Sequence, residues 1–191
     1  GVLRTVTTLI THPACLEHQM EQRHPERPER LTAVLSHLND TGLVDDLTVL
    51  HATEATRDNL IGVHSNAYVD ALEAMEPKQG LRSVNPDTSM GPKSLAAARY
   101  AVGAALDGVD HVLTDADTRV FCAVRPPGHH AEESTSMGFC FFNSVALAAH
   151  RALHIHQLER VAILDFDVHH GNGTVDAFQD DPRVLVCSSF Q

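Results

Sequence analysis

The hydrophobic pattern changes character about halfway along the chain. In the first half, Val6–Ile10 reads as a strand and Leu47–Leu50 as a second. Between them, Pro28–Leu38 reads as a helix opened by proline and closed ahead of Gly42. Asn66–Met75 carries Tyr68, Leu72 and Met75 along one helical stripe. The Pro- and Gly-rich stretch from Pro77 to Pro92 predicts a polar loop. Leu95–Leu106, apolar on most sides and rich in small residues, predicts a closely packed helix. The second half alternates regularly. Arg119–Val124, Arg160–Asp165 and Val184–Cys187 read as strands, with helices at Val145–His154 and Val175–Phe178. Such alternation predicts an α/β fold with a mainly parallel sheet covered on both faces. No repeat, low-complexity tract or linker divides the chain, so residues 1–191 are expected to form one domain or most of one. An apolar strand lies just before the end at Gln191, and an uncovered edge of that kind predicts more chain or a partner polypeptide against it.

Composition narrows the classes. A chain of 191 residues can bury a core without disulfide staples. Its cysteines (Cys15, Cys122, Cys140 and Cys187) form no CxxC pair, and three sit in apolar runs. Buried, reduced thiols and a cytoplasmic or nuclear location are expected. No apolar run approaches the ~20 residues that span a bilayer, so no membrane association is expected. A formal charge of −11 argues against direct nucleic-acid binding. It suits a cationic substrate such as a lysine-bearing tail or a polyamine, although ordinary acidic solubility accounts for it equally well.

Three stretches carry candidate chemistry. Asp165-Phe166-Asp167-Val168-His169-His170-Gly171 follows the apolar run Val161–Leu164. Strand alternation then points Asp165, Asp167 and His169 to one face and Phe166 and Val168 to the other. Two crowded, buried carboxylates need a compensating cation or hydrogen bonds, and the carboxyl ends of parallel strands are where open α/β sheets bind ligands. A metal site is the leading reading. Arg125-Pro126-Pro127-Gly128-His129-His130 puts paired imidazoles on a stiff loop at another strand end, suited to general acid/base work, with Asp165 and Asn172 available to orient them. The bland alternative is a structural turn with two hydrogen-bonded histidines. In Gly138-Phe139-Cys140-Phe141-Phe142-Asn143, Asn143 is placed to cap the next helix. Phe139 would wall an apolar channel, and Gly138 would let backbone approach a ligand. His150 and His154, with His156 nearby, have metal-ligand spacing, but a solvated helix face is the stronger reading because no carboxylate converges there.

RPPGHH, GFCFFN and DFDVHHGNGT, in that order, resemble the zinc-dependent histone deacetylase superfamily, which includes class I and II deacetylases, acetylpolyamine amidohydrolases and acetoin-utilisation proteins. HPERPERL (His24–Leu31) and VHSNAYVDAL (Val63–Leu72) extend the resemblance over essentially the whole chain. It implies an arginase/deacetylase-like three-layer α/β/α fold, truncated at the C-terminus. It further implies hydrolysis of acetyl-lysine or an acetylpolyamine by metal-activated water, in an oligomer. Asp167 and His169 would be two of three ligands to Zn2+. His129 and His130 would be the active-site pair, with His130 the general base, Asp165 orienting His129 and Asn172 orienting His130. Asn at that position looks like the class II enzymes. Gly138 would accept the substrate amide hydrogen through its carbonyl, Phe139 would line the tunnel and Asp87 would sit on the rim. A structural K+ would use Asp165, Asp167, His169, Ser188 and Ser189, and Arg30 would correspond to an internal-channel arginine.

The departure from that pattern is as informative. The family's third zinc ligand and its oxyanion tyrosine lie in later segments. Asp181-Pro182 comes too early to replace the ligand, and Tyr68 and Tyr100 precede all three motifs. The chain is therefore expected to be the N-terminal portion of a split, cleaved or truncated enzyme, completed by a C-terminal segment or second polypeptide and weakly active or inactive alone. The competing expectation is a non-catalytic metal-binding or interaction fragment. An arginase-like manganese hydrolase fits less well, because RPPGHH and GFCFFN point to deacetylases.

Overall fold

Strand β1 (Val6–Thr11) is the centre of the first half. The structure, a computed structural model, describes residues 6–114 and 118–191. β1 pairs in parallel with β2 (Leu47–His51) on one side and β5 (Thr118–Cys122) on the other. Successive residues face opposite layers, as strand geometry requires. Leu9 packs with Leu31 and Leu35 of α1 (Pro28–Asp40), whereas Ile10 packs with Ala104 of α4 (Ser94–Thr114). Burying a side chain of that size stabilises by roughly 1.5–3 kcal/mol, so the two layers are held on the strand through adjacent residues. α1 opens with Pro28, where a missing N–H costs nothing, and ends before Gly42 in the left-handed region.

The second half repeats the parallel unit. β6 (Val161–Asp165) and β7 (Val184–Ser188) pair in parallel, joined through α6 (Asn172–Phe178). Ile163 and Val184 pack on Phe178 and on Ala146, Ala149 and Leu153 of α5 (Ser144–His154). α5 also lies against α4 and so joins the two halves. Asn143 caps α5 as expected, its side chain accepting the Ala146 N–H. A central core forms around Phe141, Phe142, Leu72 of α3 (Asn66–Met75) and Val102 of α4.

The α/β/α arrangement thus holds on both faces of β1, while Val49 and Leu50 of β2 and Phe121 of β5 stay exposed at the flanks. Over β6-β7 it holds on one face. Leu164 and Leu185 on the other face are 71% and 61% exposed, and β5 and β6 are not paired among the described residues. The expected uncovered strand is therefore seen, as a face as well as an edge.

Several expectations are corrected. Within the supposed loop at 77–92, Arg82–Asn85 (β3) and Thr88–Met90 (β4) form an antiparallel hairpin that buries Met90. α4 runs to Thr114, beyond the predicted end at Leu106. Not all thiols are buried: Cys15 and Cys140 are, Cys122 is half-buried and Cys187 is exposed because it lies on the uncovered face. Most consequentially, β6 ends at Asp165, so strand alternation does not set the directions of Asp167 and His169. No helix among the described residues is long and apolar enough to cross a membrane.

Candidate active site

The loop after β5 is pinned from within. Arg125 is 2% exposed and Glu26 1%. Nε and Nη2 of Arg125 donate to the two carboxylate oxygens of Glu26 at 2.8 and 2.6 Å. Its Nη1 donates to the carbonyls of Cys15 and His18 at 2.7 and 2.8 Å. A buried charge pair is tolerable only when its remaining donors find partners, and these do. His18 lies alongside, Nδ1 at 2.7 Å from Ser94 Oγ and Nε2 at 3.4 Å from Glu26. Arg125 already neutralises Glu26, so His18 stays uncharged. Burial, with the nearby charges of Arg125 and His24, pushes its pKa down to about 3.

Pro126, Pro127 and Gly128 then deliver the paired imidazoles. His129 Nδ1 lies 2.8 Å from Asp165 Oδ2, and His130 Nδ1 lies 2.7 Å from Asn172 Oδ1, with the two rings 4.0 Å apart. The residues predicted as orienting groups therefore contact one imidazole each. Gly171, at the start of α6, passes so close that a Cβ there would stand 2.3 Å from Asp165 Oδ2 and 3.2 Å from His129 Nδ1. The N–H groups of Gly173 and Thr174 donate to the His129 carbonyl at 2.9 and 3.2 Å, so the first turn of α6 holds the loop through donors that have no partner inside the helix.

Beyond β6 the chain turns on its own carboxylates. Asp167 N donates to Asp165 Oδ1 at 3.1 Å, and His169 N donates to Asp167 Oδ1 at 2.8 Å. Local Asx-type bonding of this kind competes with strand geometry. Asp167 and His169 nevertheless reach the same cleft, while Phe166 and Val168 are 84% and 53% exposed. Asp167 and His169 are themselves exposed, so the expected burial of two carboxylates holds largely for Asp165, whose side chain is 13% exposed, and not for Asp167. Burial raises the Asp167 pKa, but the His169 N–H bond and the nearby charges of His129 and His169 outweigh it and hold the carboxyl below its ordinary value.

Asp167 Oδ1 and His169 Nδ1 are 3.2 Å apart. Two ligands at ~2.0–2.1 Å from a tetrahedral zinc stand about 3.3 Å apart, so this carboxylate–imidazole pair fits neighbouring vertices of such a site. Among the described residues no group of three or more His, Cys, Asp or Glu is arranged to hold a metal ion. At the base of the same turn, Asp165 pairs with Ser188 across β6-β7 and its carbonyl accepts the Ser189 N–H at 2.9 Å. Ser188 Oγ is buried with no hydrogen-bond partner, an orphan oxygen suited to a monovalent cation.

The opposite wall comes from the hairpin and the Gly138 turn. Gly138 and Phe139 both have positive φ, 55° and 69°. A non-glycine residue held there costs of order 1–3 kcal/mol, so its surroundings must impose it. They do so through Gly138 N donating to Asp87 Oδ2 (3.3 Å), Phe139 N donating to Thr88 Oγ1 (3.1 Å) and the His24 ring edge-on to Phe139 at 4.5 Å. Gly138 must also lack a side chain, because its Cβ would lie 2.2 Å from His130 Cδ2. Its carbonyl accepts a hydrogen bond from Cys140 Sγ at 3.2 Å. The cleft is about 840 Å³, with His129, His130, Asp167 and His169 together in its lining and Gly138, Phe139, Asp87 and Arg30 also bordering it.

Residues 24–191 match the family described as the histone deacetylase domain. The chain belongs to that family. It is 44% identical over 189 residues to the uncharacterised protein slr0245 of Synechocystis, covering 97% of this chain and 62% of that protein. It is 43% identical over 168 residues to the human polyamine deacetylase HDAC10, covering 85% of this chain and 25% of that one. A probable deacetylase of Archaeoglobus fulgidus is 35% identical over 188 residues, covering 97% of this chain and 52% of its own length. Among solved structures, the HDA15 HD domain superposes with a TM-score of 0.90 at 35% identity, covering 96% of this chain and 52% of that one. The chain thus spans between a quarter and just under two thirds of the length of these relatives.

Other groups in this histone deacetylase-family chain do different work. His150 and His154 stack at 4.3 Å, but His156 turns away to Asp110 at 2.6 Å, so the three do not converge. Tyr68 is buried and donates to the Phe141 carbonyl at 2.7 Å, and Tyr100 stacks on His12 at 3.6 Å; neither lines the cleft. Sequence reasoning assigned no role to Glu26 and His18 beneath the loop, or to His64, although Glu26 and His64 lie within HPERPERL and VHSNAYVDAL. The His64 ring is 2% exposed and bridges the Glu132 carbonyl (2.9 Å) and the Asn143 N–H (3.0 Å). No periodicity or spacing links those positions. For Glu26 and His64 the available signal was their place in those two segments; His18 lies outside them.

Proposed function

We propose that this chain carries the base-bearing and metal-binding part of a zinc-dependent deacetylase that hydrolyses acetyl-lysine or a related acetylated amine such as an acetylpolyamine. The observation that carries the proposal is the pair of adjacent imidazoles, each with its own orienting partner, beside a carboxylate and an imidazole 3.2 Å apart in one cleft. Asp167 and His169 would hold the zinc. That ion supplies a Lewis acid for the acyl carbonyl and brings the pKa of water toward ~7. His130 donates from Nδ1 to Asn172, so its Nε2 keeps a lone pair with which to take the proton from the attacking water. His129 is aligned by the Asp165 carboxylate, and the histidine pair returns a proton to the leaving amine. Phe139 packs along the alkyl stem of the substrate, and the Gly138 carbonyl accepts its amide hydrogen. Ser188, Ser189 and Asp165 would hold a potassium ion that braces the turn leading to Asp167.

Among the described residues Asp167 and His169 are the two zinc ligands we assign, whereas catalytic zinc ordinarily has three from protein. We therefore assign full turnover to the site once a further donor completes it. The test is hydrolysis of fluorogenic acetyl-lysine and acetylpolyamine substrates with added zinc, by the chain and by a longer form of it. Hydroxamate-sensitive turnover that His130→Ala abolishes supports the reading. Hydroxamate and zinc binding without turnover in either form would instead favour a non-catalytic, metal-binding module.

A further inference from the structure

An amide can be built into a site backwards, and a carboxylate cannot. That difference separates the two orienting groups. Asp165 presents an acceptor to His129 whichever oxygen faces it. Asn172 presents an acceptor to His130 only when Oδ1, and not Nδ2, points at the ring. Something must therefore choose the rotamer.

The surroundings of Asn172 Nδ2 make the choice. It donates to Glu132 Oε1 at 2.8 Å, with the His130 carbonyl at 3.4 Å and Met137 Sδ at 3.0 Å. The carbonyl contact is long and the thioether is a weak acceptor, which leaves the Glu132 carboxylate as the strong determinant. Turning the amide over would set Oδ1 against Glu132 Oε1 and two N–H donors against His130 Nδ1. His130 would then have to carry its proton on Nε2, the nitrogen whose lone pair faces away from Asn172. Glu132 is itself held on both sides. Its N–H donates to the Thr135 carbonyl at 3.0 Å, and its carbonyl accepts from His64 Nδ1, whose Nε2 in turn accepts the Asn143 N–H.

We propose that Glu132 is a positioning residue that fixes the amide orientation of Asn172 and thereby the Nδ1–H tautomer of His130. The consequence for catalysis rests on the function proposed above; the tautomer does not. It can be read without turnover, so failure of one is distinguishable from failure of the other.

The experiment is long-range 1H–15N correlation NMR on the 15N-histidine-labelled chain at alkaline pH, where imidazole is neutral, with His130 assigned by its loss in a substituted control. The unsubstituted chain is expected to show a single Nδ1–H pattern for His130. Glu132→Gln keeps the shape of the side chain but offers both a donor and an acceptor, so a second, Nε2–H pattern should appear. Asn172→Asp combined with Glu132→Gln restores an acceptor that cannot be reversed, and the single Nδ1–H pattern should return. A wild-type Nε2–H ring would overturn the proposal. So would a Glu132→Gln spectrum unchanged from wild type, or a double variant that stays mixed.

Discussion

Arg125 and Glu26 form a two-pronged ion pair, 2.8 and 2.6 Å, that water does not reach. It ties the start of the histidine loop to the segment leading into α1. Breaking a buried pair from one side leaves an uncompensated charge and costs about 3–5 kcal/mol. Glu26→Gln should therefore destabilise by that amount in urea unfolding. Adding Arg125→Met should recover part of the loss, because the stranded cation is then gone. A single substitution costing less than about 1 kcal/mol would mean that the pair does not hold the loop.

Acid should weaken the fold through two neutral histidines. Burial lowers the pKa of both: His18 to about 3, with help from Arg125 and His24, and His64 below its ordinary value of 6.5. A lowered folded-state pKa means that the unfolded chain binds the proton first as pH falls. The contribution of each is thus complete above pH 6.5 and is lost progressively below it, in the case of His18 down to about 3. Melting temperatures measured from neutral to mildly acidic pH should fall below that value, less steeply in His64→Gln. A flat profile through that window would contradict the neutral, buried state of these rings.

Gly171→Ala tests the close approach of α6 to the Asp165–His129 pair. The added Cβ would meet Asp165 Oδ2 at 2.3 Å, so the carboxylate must move and its 2.8 Å bond to His129 must lengthen or break. Under the proposed mechanism, kcat should fall by about 10- to 100-fold, as for other losses of an orienting partner. Stability should change far less than in Glu26→Gln. Unchanged turnover would show that Asp165 does not align His129 for catalysis.

Thiol labelling should follow exposure. Cys187 is exposed and is expected to react first with a maleimide or disulfide reagent. Burial pushes the Cys140 thiol up to about 12 and the Cys122 thiol up to about 11, and also raises Cys15, so all three should label slowly in the folded chain. Rapid modification of Cys140 would place the Gly138 turn in a different packing from the one described.

The parts that the sequence made legible are those with strong local signals. The strand–helix alternation after Arg119 gave the second parallel unit, and proline at Pro28 with Gly42 bracketed α1. The three motifs named the residues that meet in the cleft because each rides on a short, stiff stretch of chain. The β3-β4 hairpin was hidden by its short, polar strands, with a register shift between Ser83 and Asn85. The end of β6 was misjudged because Asp165 and Asp167 accept hydrogen bonds from the backbone just beyond them, and these local bonds override alternation. Long-range polar ties such as Glu26–Arg125, His64–Glu132 and Glu132–Asn172 leave no periodic trace at all. The exposure of Leu164 and Cys187 follows from a sheet face that no described element covers, which an apolar pattern alone reads as core.

The most direct test of the account is anomalous diffraction at the zinc edge from crystals of the protein soaked in zinc. The predicted result is one strong peak within about 2.0–2.1 Å of both an Asp167 carboxylate oxygen and His169 Nδ1, in the cleft that His129 and His130 line, and absent in Asp167→Ala. A peak seated instead between His150 and His154, with that cleft empty at saturating zinc, would contradict it.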